Sequence, residues 1–304
     1  MDYKELKFGV ELEFTGLTRS QAAKVMGDFF GATSLAIGGG YDAYIVEDSL
    51  ERIFKICSDS SIHAQYKNRY GSIIEGSNDY RCELVTPPLT YEDIPQLQEL
   101  VRTLRKKGML VNESCGIHIH VEAVAFDGAH LRYLCNMVYA KQNLISNALS
   151  IKSRRSSYCL PLADSFITEL NKKKPSTIEA LADCWYGDVG SIDRERHYHN
   201  SRYHVLNLHP LLSHRQPTIE LRCFNSTTHV GELKAYIQFS LLLVAAALNT
   251  KSASSKITIP TTGNEKYTVR VWLLKLGMIG DEFKTARLHL LKNLIGNTAW
   301  RDRV

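Results

Sequence analysis

The sequence predicts an α+β protein, and two patterns support this prediction. Short segments in which apolar and polar residues alternate, as in half-buried β-strands, recur along the chain. Longer segments between them repeat apolar residues every three or four positions, which is typical of amphipathic helices. With 304 residues, of which 44% are hydrophobic and 23% charged, the chain has the composition of a globular protein with a large core.

The first predicted strand, Phe8–Phe14, reads Phe-Gly-Val-Glu-Leu-Glu-Phe. Alternation places its apolar residues on one face and puts Glu11 and Glu13 together on the other. Two neighbouring carboxylates repel each other unless solvent or a cation lies between them. The pair therefore indicates either a solvated sheet face or a metal site.

A helix is predicted from Thr18, which forms a capping box with Gln21, to about Phe30. The other elements predicted before residue 150 are a hairpin, two strands and two helices: 43–46 with 52–57, 81–85 and 117–123, and 94–104 and 131–149. Residues 36–41, with three consecutive glycines, and the polar stretch 58–80 are predicted to be loops.

The middle of the chain, residues 151–200, is irregular and rich in charge, with charged runs at 152–155, 172–174 and 194–196. Such runs are usually solvated, although they could contact an acidic substrate or partner. The remaining predicted elements are two strands and three helices: 205–208 and 218–224, then 231–248, 264–276 and 281–294. We expect residues 1–250 to form one catalytic domain, on which residues 251–304 pack as a helical extension.

Charge, targeting signals and cysteines bear on the partners and the compartment. A net charge of +5 does not by itself indicate a nucleic-acid partner. The charged residues 1–7 lack the apolar core of a signal peptide, and the longest apolar run, 241–248, is too short to span a bilayer. The seven scattered cysteines suit a reducing compartment. These features predict a cytoplasmic protein without a membrane partner, and an oligomer is compatible with them.

Later strands repeat the arrangement of paired polar residues. His118 and His120 share one face of a strand, Glu220 and Arg222 share one face of another, and Glu83 adds a further strand carboxylate. A solvated face usually carries Thr, Lys, Ser and Gln, whereas these pairs are imidazoles, carboxylates and a guanidinium. Carboxylates with an imidazole can bind Mg²⁺ or Mn²⁺, and a nearby Arg suits a phosphate. The set predicts a metal site on a concave sheet face.

Five motifs follow one another along the chain: Gly9-Val-Glu-Leu-Glu-Phe, Glu83-Leu-Val-Thr-Pro-Pro, Cys115-Gly-Ile-His-Ile-His-Val, Ser201-Arg-Tyr-His-Val-Leu-Asn207 and Thr218-Ile-Glu-Leu-Arg-Cys-Phe-Asn225. In this order they resemble the motifs of the amidoligase family, which belongs with carboxylate–amine ligases of the glutamine synthetase and glutamate–cysteine ligase type. The resemblance implies an antiparallel, funnel-like sheet backed by helices, similar to the glutamine synthetase catalytic domain. ATP would lie at one end of the funnel and the acid substrate at the other.

The resemblance also implies two metal ions. Glu11, His118 and Glu220 would hold one Mg²⁺ that orients the ATP phosphates. Glu13 and Glu83 would hold a second one, nearer the substrate carboxylate.

The third ligand of the second metal stays open between two acidic residues. Asp59 matches an acidic position that the family places before its Glu-Leu-Val segment, and we prefer it. Glu75 lies eight residues before Glu83, as in the synthetases.

The remaining roles implied by the resemblance concern the nucleotide and the substrate. Arg222 would sit on the transferred phosphoryl group, and Arg202, Tyr203 and Asn207 would lie near nucleotide or substrate. His120 could contact phosphate, support a metal ligand or only cap the sheet edge.

The implied reaction needs no nucleophilic residue of the enzyme, because the carboxylate of the substrate attacks ATP. The acid becomes an acyl phosphate, which an amine displaces to form an amide or isopeptide bond. The sequence accordingly lacks the P-loop, nucleophile-elbow and zincin motifs; Gly71 and Gly76 have P-loop spacing, but Ser77 follows instead of lysine. A glutamyl or peptide-like acid is expected, and the identities of acid and amine stay open, including whether a peptide or protein carries them.

Two other functions compete with the ligase. A metal-dependent hydrolase could use the same His and Glu cluster, because dinuclear hydrolases also combine a His-x-His strand with distant carboxylates. A non-catalytic relative could bind nucleotide or a partner. The large number of carboxylates favours the ligase.

The histidines at 197, 199, 204 and 209 match no metal template and are predicted to lie in a solvated loop.

Overall fold

The computed structural model describes residues 1–151, 157–187, 194–260 and 262–300, which form a mixed α/β protein with a large antiparallel sheet backed by helices. The chain divides into two compact units. The N-terminal unit comprises Lys7–Ile119 and Phe224–Lys234. The C-terminal unit comprises the described parts of Met1–Leu6, His120–Cys223 and Ala235–Val304.

The described strands are β1 Phe8–Phe14, β2 Leu35–Gly38, β3 Ala43–Glu47, β4 Ile53–Cys57, β5 Gln65–Lys67, β6 Ile73–Glu75, β7 Cys82–Val85, β8 Gly116–Glu122, β9 Leu206–Asn207 and β10 Thr218–Asn225. The described helices are α1 Arg19–Phe30, α2 Ile94–Lys106, α3 Gly128–Leu149, α4 Asp164–Lys173, α5 Ile178–Tyr186, α6 His209–Leu212, α7 Val230–Asn249, α8 Glu265–Lys275 and α9 Lys284–Leu291. The predicted strands and helices before residue 150 and after residue 200 are thus confirmed, with boundaries shifted by a few residues.

The sheet of the N-terminal unit has the strand order β2-β3-β4-β7-β1, with the first residues of β8 beside β1. The pairs from β2 to β1 are all antiparallel. Helix α1 covers one face, where Phe30 packs against Phe54 with ring centroids 4.7 Å apart. Because side chains alternate along a strand, the residues next to Phe54 in sequence lie on the opposite face.

Helix α1 begins and ends as predicted. The Thr18 hydroxyl accepts a hydrogen bond from the Gln21 amide, and the Gln21 side chain accepts one from the Thr18 amide, which completes the capping box. Gly31 ends the helix with φ 69°, a left-handed conformation that glycine adopts without strain.

In the C-terminal unit, β10 pairs antiparallel with β9, and the last residues of β8 adjoin β10. Helices α3, α4 and α5 pack on one another. Helix α7, which contains the apolar run 241–248, is long and apolar enough to cross a membrane by length and composition, but 72% of its apolar window is buried inside the protein. This burial is typical of a core helix in a soluble globular protein. All seven cysteines are buried free thiols.

Three predicted irregular segments contain regular structure. Residues 35–38 form the edge strand β2, whose exposure on every residue leaves no buried alternation to detect. The stretch 58–80 contains the hairpin β5–β6, whose strands have only three residues each, none of them buried. The middle segment contains α4 and α5, whose short buried stripes are masked in sequence by the surrounding charge. The basic run 152–155 lies outside the described residues. The boundary predicted between 1–250 and 251–304 stays a prediction.

Candidate active site

Polar side chains gather in the N-terminal unit on the sheet face opposite α1. Phe54 points toward the helix, so Lys55 and Cys57 leave β4 on the other face. Strand register puts Glu83 of β7 directly beside Cys57, and puts Glu13 of β1 directly beside Glu83. Paired residues point to the same side of a sheet, so this face carries the carboxylates.

Five side chains on this face form what we call the acidic cluster: Glu11, Glu13, Asp59, Glu83 and His118. Potential ligand atoms of Glu11, Glu83 and His118 lie within 4.8 Å of one another, and so do those of Glu13, Asp59 and Glu83. The two groups share Glu83. Carboxylate oxygens are the preferred ligands of Mg²⁺, and Mn²⁺ accepts imidazole as well. The donor set therefore fits one divalent cation in each group.

His118 lies between two carboxylates of β1. Its Nδ1 is 3.0 Å from Glu11 Oε2, and its Nε2 is 3.6 Å from Glu13 Oε1. The Gly116 amide donates a hydrogen bond of 2.6 Å to Glu13 Oε2. Both Glu13 and His118 are only 2% exposed. Strand pairing and burial thus hold these ligand atoms in place before any cation binds.

The surroundings of the Glu83 carboxyl disfavour its ionised form. Burial raises its pKa well above the usual value, and the charges of Glu11, Glu13 and Asp59 raise it further. The Cys57 thiol lies 3.3 Å from Glu83 Oε2, and burial raises the pKa of this thiol. A divalent cation would offset the repulsion that raises the pKa of Glu83.

The two candidates for the third ligand of the second metal have different environments. Asp59 belongs to the group with Glu13 and Glu83. Glu75 lies on β6, is largely exposed, and binds His63 Nε2 with its two oxygens at 2.6 and 2.8 Å. Asp59 therefore lies with the second ligand group, whereas Glu75 pairs with His63.

A second polar cluster lies in the C-terminal unit around Glu220. Asn207 is paired with Glu220 across β9 and β10, and its side-chain amide donates a hydrogen bond of 2.6 Å to Glu220 Oε2. The Arg222 guanidinium donates to Glu220 Oε1. His120 Nε2 lies 3.9 Å from the same oxygen, and its Nδ1 lies 3.1 Å from the Thr218 hydroxyl. Each Glu220 oxygen thus has a nitrogen donor.

The structure places Arg202 and Tyr203 among aromatic side chains. Arg202 donates a hydrogen bond of 3.1 Å to the His197 carbonyl and lies over the Tyr198 ring, 5.4 Å from its centroid. Tyr203 makes an edge-to-face contact with Tyr158, with centroids 5.4 Å apart. Their predicted roles near nucleotide or substrate stay predictions.

The prediction of a solvated loop is wrong for His209, which is 3% exposed at the start of α6. Its Nδ1 accepts a hydrogen bond of 2.6 Å from the Tyr186 hydroxyl, and its Nε2 donates one of 2.9 Å to the Arg196 carbonyl. This arrangement, in which Nε2 donates and Nδ1 accepts, is that of the neutral imidazole. Burial lowers the pKa of His209 to about 4.

We therefore expect His209 to destabilise the protein in acid. Its pKa in the folded protein, about 4, lies below the ordinary 6.5. The unfolded state binds more protons between these values, so the free energy of unfolding falls as pH decreases through this window, by at most about 3 kcal/mol. Urea unfolding at several pH values should show this loss in the wild type, and His209→Gln should lack it. A constant difference between the two proteins at every pH would contradict the assignment.

Comparison with protein families gives a match over residues 4–244 to the family described as "putative amidoligase enzyme". The match covers about four fifths of the chain and includes the five motifs and both polar clusters. No curated protein matches the chain. The chain therefore belongs to the amidoligase family, whose members are described as enzymes of the ligase type.

Proposed function

We propose that this protein is an ATP- and Mg²⁺-dependent carboxylate–amine ligase that forms an amide or isopeptide bond through an acyl phosphate. The acidic cluster carries the proposal, because its four carboxylates and one histidine form two ligand groups that share Glu83. Membership of the amidoligase family supports ligase chemistry. A glutamyl or peptide-like acid and a separate amine are the proposed substrates, and the cytoplasm is the proposed compartment.

Each of the two ligand groups has its own proposed role. Glu11 and His118 would bind the cation that orients the ATP phosphates, whereas Glu13, Asp59 and Glu83 would bind the cation nearer the acid. Mg²⁺ or Mn²⁺ would supply positive charge that neutralises and aligns phosphate and carboxylate oxygens. The predicted contribution of Glu220 to the first cation rests on the motif resemblance.

The protein would position the reactants, and none of its own residues would become covalently attached to the substrate. A carboxylate oxygen of the acid attacks the γ-phosphorus of ATP and ADP leaves; the amine then attacks the acyl carbon and phosphate leaves. Cys57 beside Glu83 is unsuited to act as a nucleophile, because burial raises the pKa of its thiol. Arg222 is proposed to stabilise the transferred phosphoryl group. Roles of Arg202, Tyr203, Asn207 and His120 toward nucleotide or substrate are proposed from the motif resemblance.

Two acidic residues provide a matched test of the proposal. Asp59→Asn should reduce ATP-dependent amide formation about 100-fold or more, because it removes a charge from the proposed metal ligands. Glu75→Gln should keep activity within about threefold of the wild type. Glu75 is exposed, and outside its own hairpin its side chain contacts only His63 among the described residues. ADP release with Mg²⁺, ATP and a metabolite extract would be measured, together with the mass of each product, expected at the sum of its parents less water.

One outcome would count against Asp59 as a metal ligand, and two would count against the ligase. A loss of activity in Glu75→Gln equal to that in Asp59→Asn would remove Asp59 from the proposed ligands. Products formed without nucleotide would favour the hydrolase. ATP binding without any product, across extracts that contain acids and amines, would favour the non-catalytic relative.

A further inference from the structure

One row of paired residues crosses the N-terminal unit from its edge strand to the acidic cluster. In order from β2 to β1, the row consists of Leu35, Ile45, Lys55, Val85 and Glu11. Paired residues point to the same side, so these side chains all leave the sheet on the face opposite α1. With neighbouring strands about 4.8 Å apart, the row is about 19 Å long. We call it the cross-strand row.

The outer half of the cross-strand row is apolar and accessible. Leu35 is 56% exposed, and Ile53, two residues before Lys55 on the same face, is 52% exposed. Ile45 and Val85 are half-buried. Exposed aliphatic side chains that continue into a polar cluster are typical of a surface that binds a ligand with an apolar part.

Lys55 is the cation of the cross-strand row. It lies two strands, or about 10 Å, from Glu11, with Val85 between them. Lys55 forms no ion pair with any carboxylate in the part of the chain that the structure describes. Its ammonium is therefore available to a negative group of a ligand that rests on Val85.

We propose that the cross-strand row binds the acid substrate, and that this substrate is a peptide ending in a dicarboxylic residue preceded by aliphatic residues. The side-chain carboxylate of the last residue would meet the acidic cluster, and its α-carboxylate would bind Lys55. The preceding residues would lie over Ile45 and Leu35. This inference rests on the proposed function, because it assigns the substrate class of the same site.

The dimensions of the row agree with such a ligand. Three carbon atoms separate the two carboxylates of a glutamate. Together with the lysine side chain at one end and a metal–oxygen bond of about 2.1 Å at the other, this length suits the interval between Lys55 and Glu11. The stretch from Lys55 to Leu35 also spans two strand intervals, about 10 Å, and an extended peptide of about 3.3 Å per residue covers it with about three residues. A single free amino acid would leave the apolar half of the row uncovered.

Peptide binding measured by calorimetry, with Mg²⁺ and without nucleotide, tests this proposal. The probes are Ala-Leu-Leu-Glu with a free C-terminus, the same peptide with a C-terminal amide, and Ala-Ser-Ser-Glu with a free C-terminus. The wild type should bind the first probe about tenfold more tightly than either of the others, because a charge-assisted contact or buried leucine is lost in each comparison.

Two variants and one control assign the binding preferences to residues. Lys55→Met should abolish the preference for the free C-terminus, whereas Lys24→Met, an exposed lysine of α1, should retain it. Leu35→Ser, at an exposed position that tolerates a polar residue, should reduce the preference for leucine over serine. If Lys55→Met keeps the C-terminal preference, or the wild type discriminates among none of the probes, the proposal is wrong.

Peptide binding and ATP-dependent product formation, measured together, distinguish a failure of this inference from a failure of the proposed function. Selective peptide binding without ATP-dependent product would support the cross-strand row and reject the ligase. ATP-dependent product formation without selectivity among the probes would support the ligase and reject the row as its substrate site.

Discussion

Glu83→Gln should stabilise the metal-free protein and remove most of the stabilisation that Mg²⁺ gives to the wild type. Glu83 lies half-buried beside Glu11, Glu13 and Asp59, so its ionised form is costly without a cation. Glutamine has nearly the same shape and no charge, which relieves the repulsion. It is also a poorer ligand for Mg²⁺, and because both ligand groups share this position, the substitution weakens both.

The size of the effect follows from mass action. A cation at about 100 times its dissociation constant stabilises a protein by about 2.7 kcal/mol, and the variant should lose most of this amount. The raised pKa of Glu83 sets the sign of the pH dependence in the metal-free protein. The protonated Glu83 side chain contributes to stability at low pH, and this contribution is lost as pH rises through the folded-state pKa. The advantage of the variant in EDTA should therefore grow with pH.

Thermal unfolding in EDTA and in Mg²⁺ measures both effects, with Glu75→Gln as the matched control. The control also replaces a glutamate by glutamine, but at an exposed position hydrogen-bonded to His63, so it should change neither melting temperature by much. A Glu83→Gln protein that is less stable in EDTA, or that keeps the full Mg²⁺ shift, would contradict the assignment of Glu83 as the shared ligand.

Arg222→Met should lower the free energy of unfolding by about 3–5 kcal/mol and abolish ligase activity. The substitution removes the guanidinium that donates to Glu220, whose side chain is 2% exposed along the buried strand β10. The double variant Glu220→Gln with Arg222→Met should recover most of the lost stability, because no charge then stays buried without its counter-ion in this pair. Activity should not recover, because the proposed phosphoryl contact and the proposed Glu220 ligand are both absent.

Urea unfolding and the ADP-release assay, applied to both single variants and the double variant, separate the structural role of Arg222 from its role in the reaction. A double variant as unstable as Arg222→Met would show that the pair with Glu220 is not the source of the loss. An active double variant would remove Arg222 from the reaction. Arg222→Lys, which keeps the charge but not the planar fork, should fold and retain only a small part of the activity.

Alternation along single strands explains why much of the acidic cluster could be predicted. Glu11 and Glu13 share a face in any strand that buries Phe8 and Phe14, and the same argument places His118 opposite its apolar neighbours. The pairing of Glu13 with Glu83 could not be derived in this way, because β1 and β7 are separated by several elements in sequence and only their register makes them neighbours.

The neighbours of Lys55 across the sheet could not be predicted from the sequence either. Alternation within the predicted hairpin places Lys55 and Ile53 on one face, but nothing local to 52–57 indicates that Val85 and then Glu11 continue the row. His209 was missed for a different reason: its burial depends on Tyr186 and Arg196, which are distant in sequence, and its neighbours are rich in polar residues.

The oxygen content of the released phosphate tests the central claim most directly. The protein would react with Mg²⁺, ATP and a metabolite extract in H₂¹⁸O, and the phosphate would be analysed by mass spectrometry. In the proposed ligase the fourth phosphate oxygen comes from the carboxylate of the acid, so the phosphate should carry no solvent ¹⁸O and should form in equal amount to an amide product. Phosphate that carries one solvent ¹⁸O would show that water, not a carboxylate, attacks ATP, and would contradict the proposed reaction.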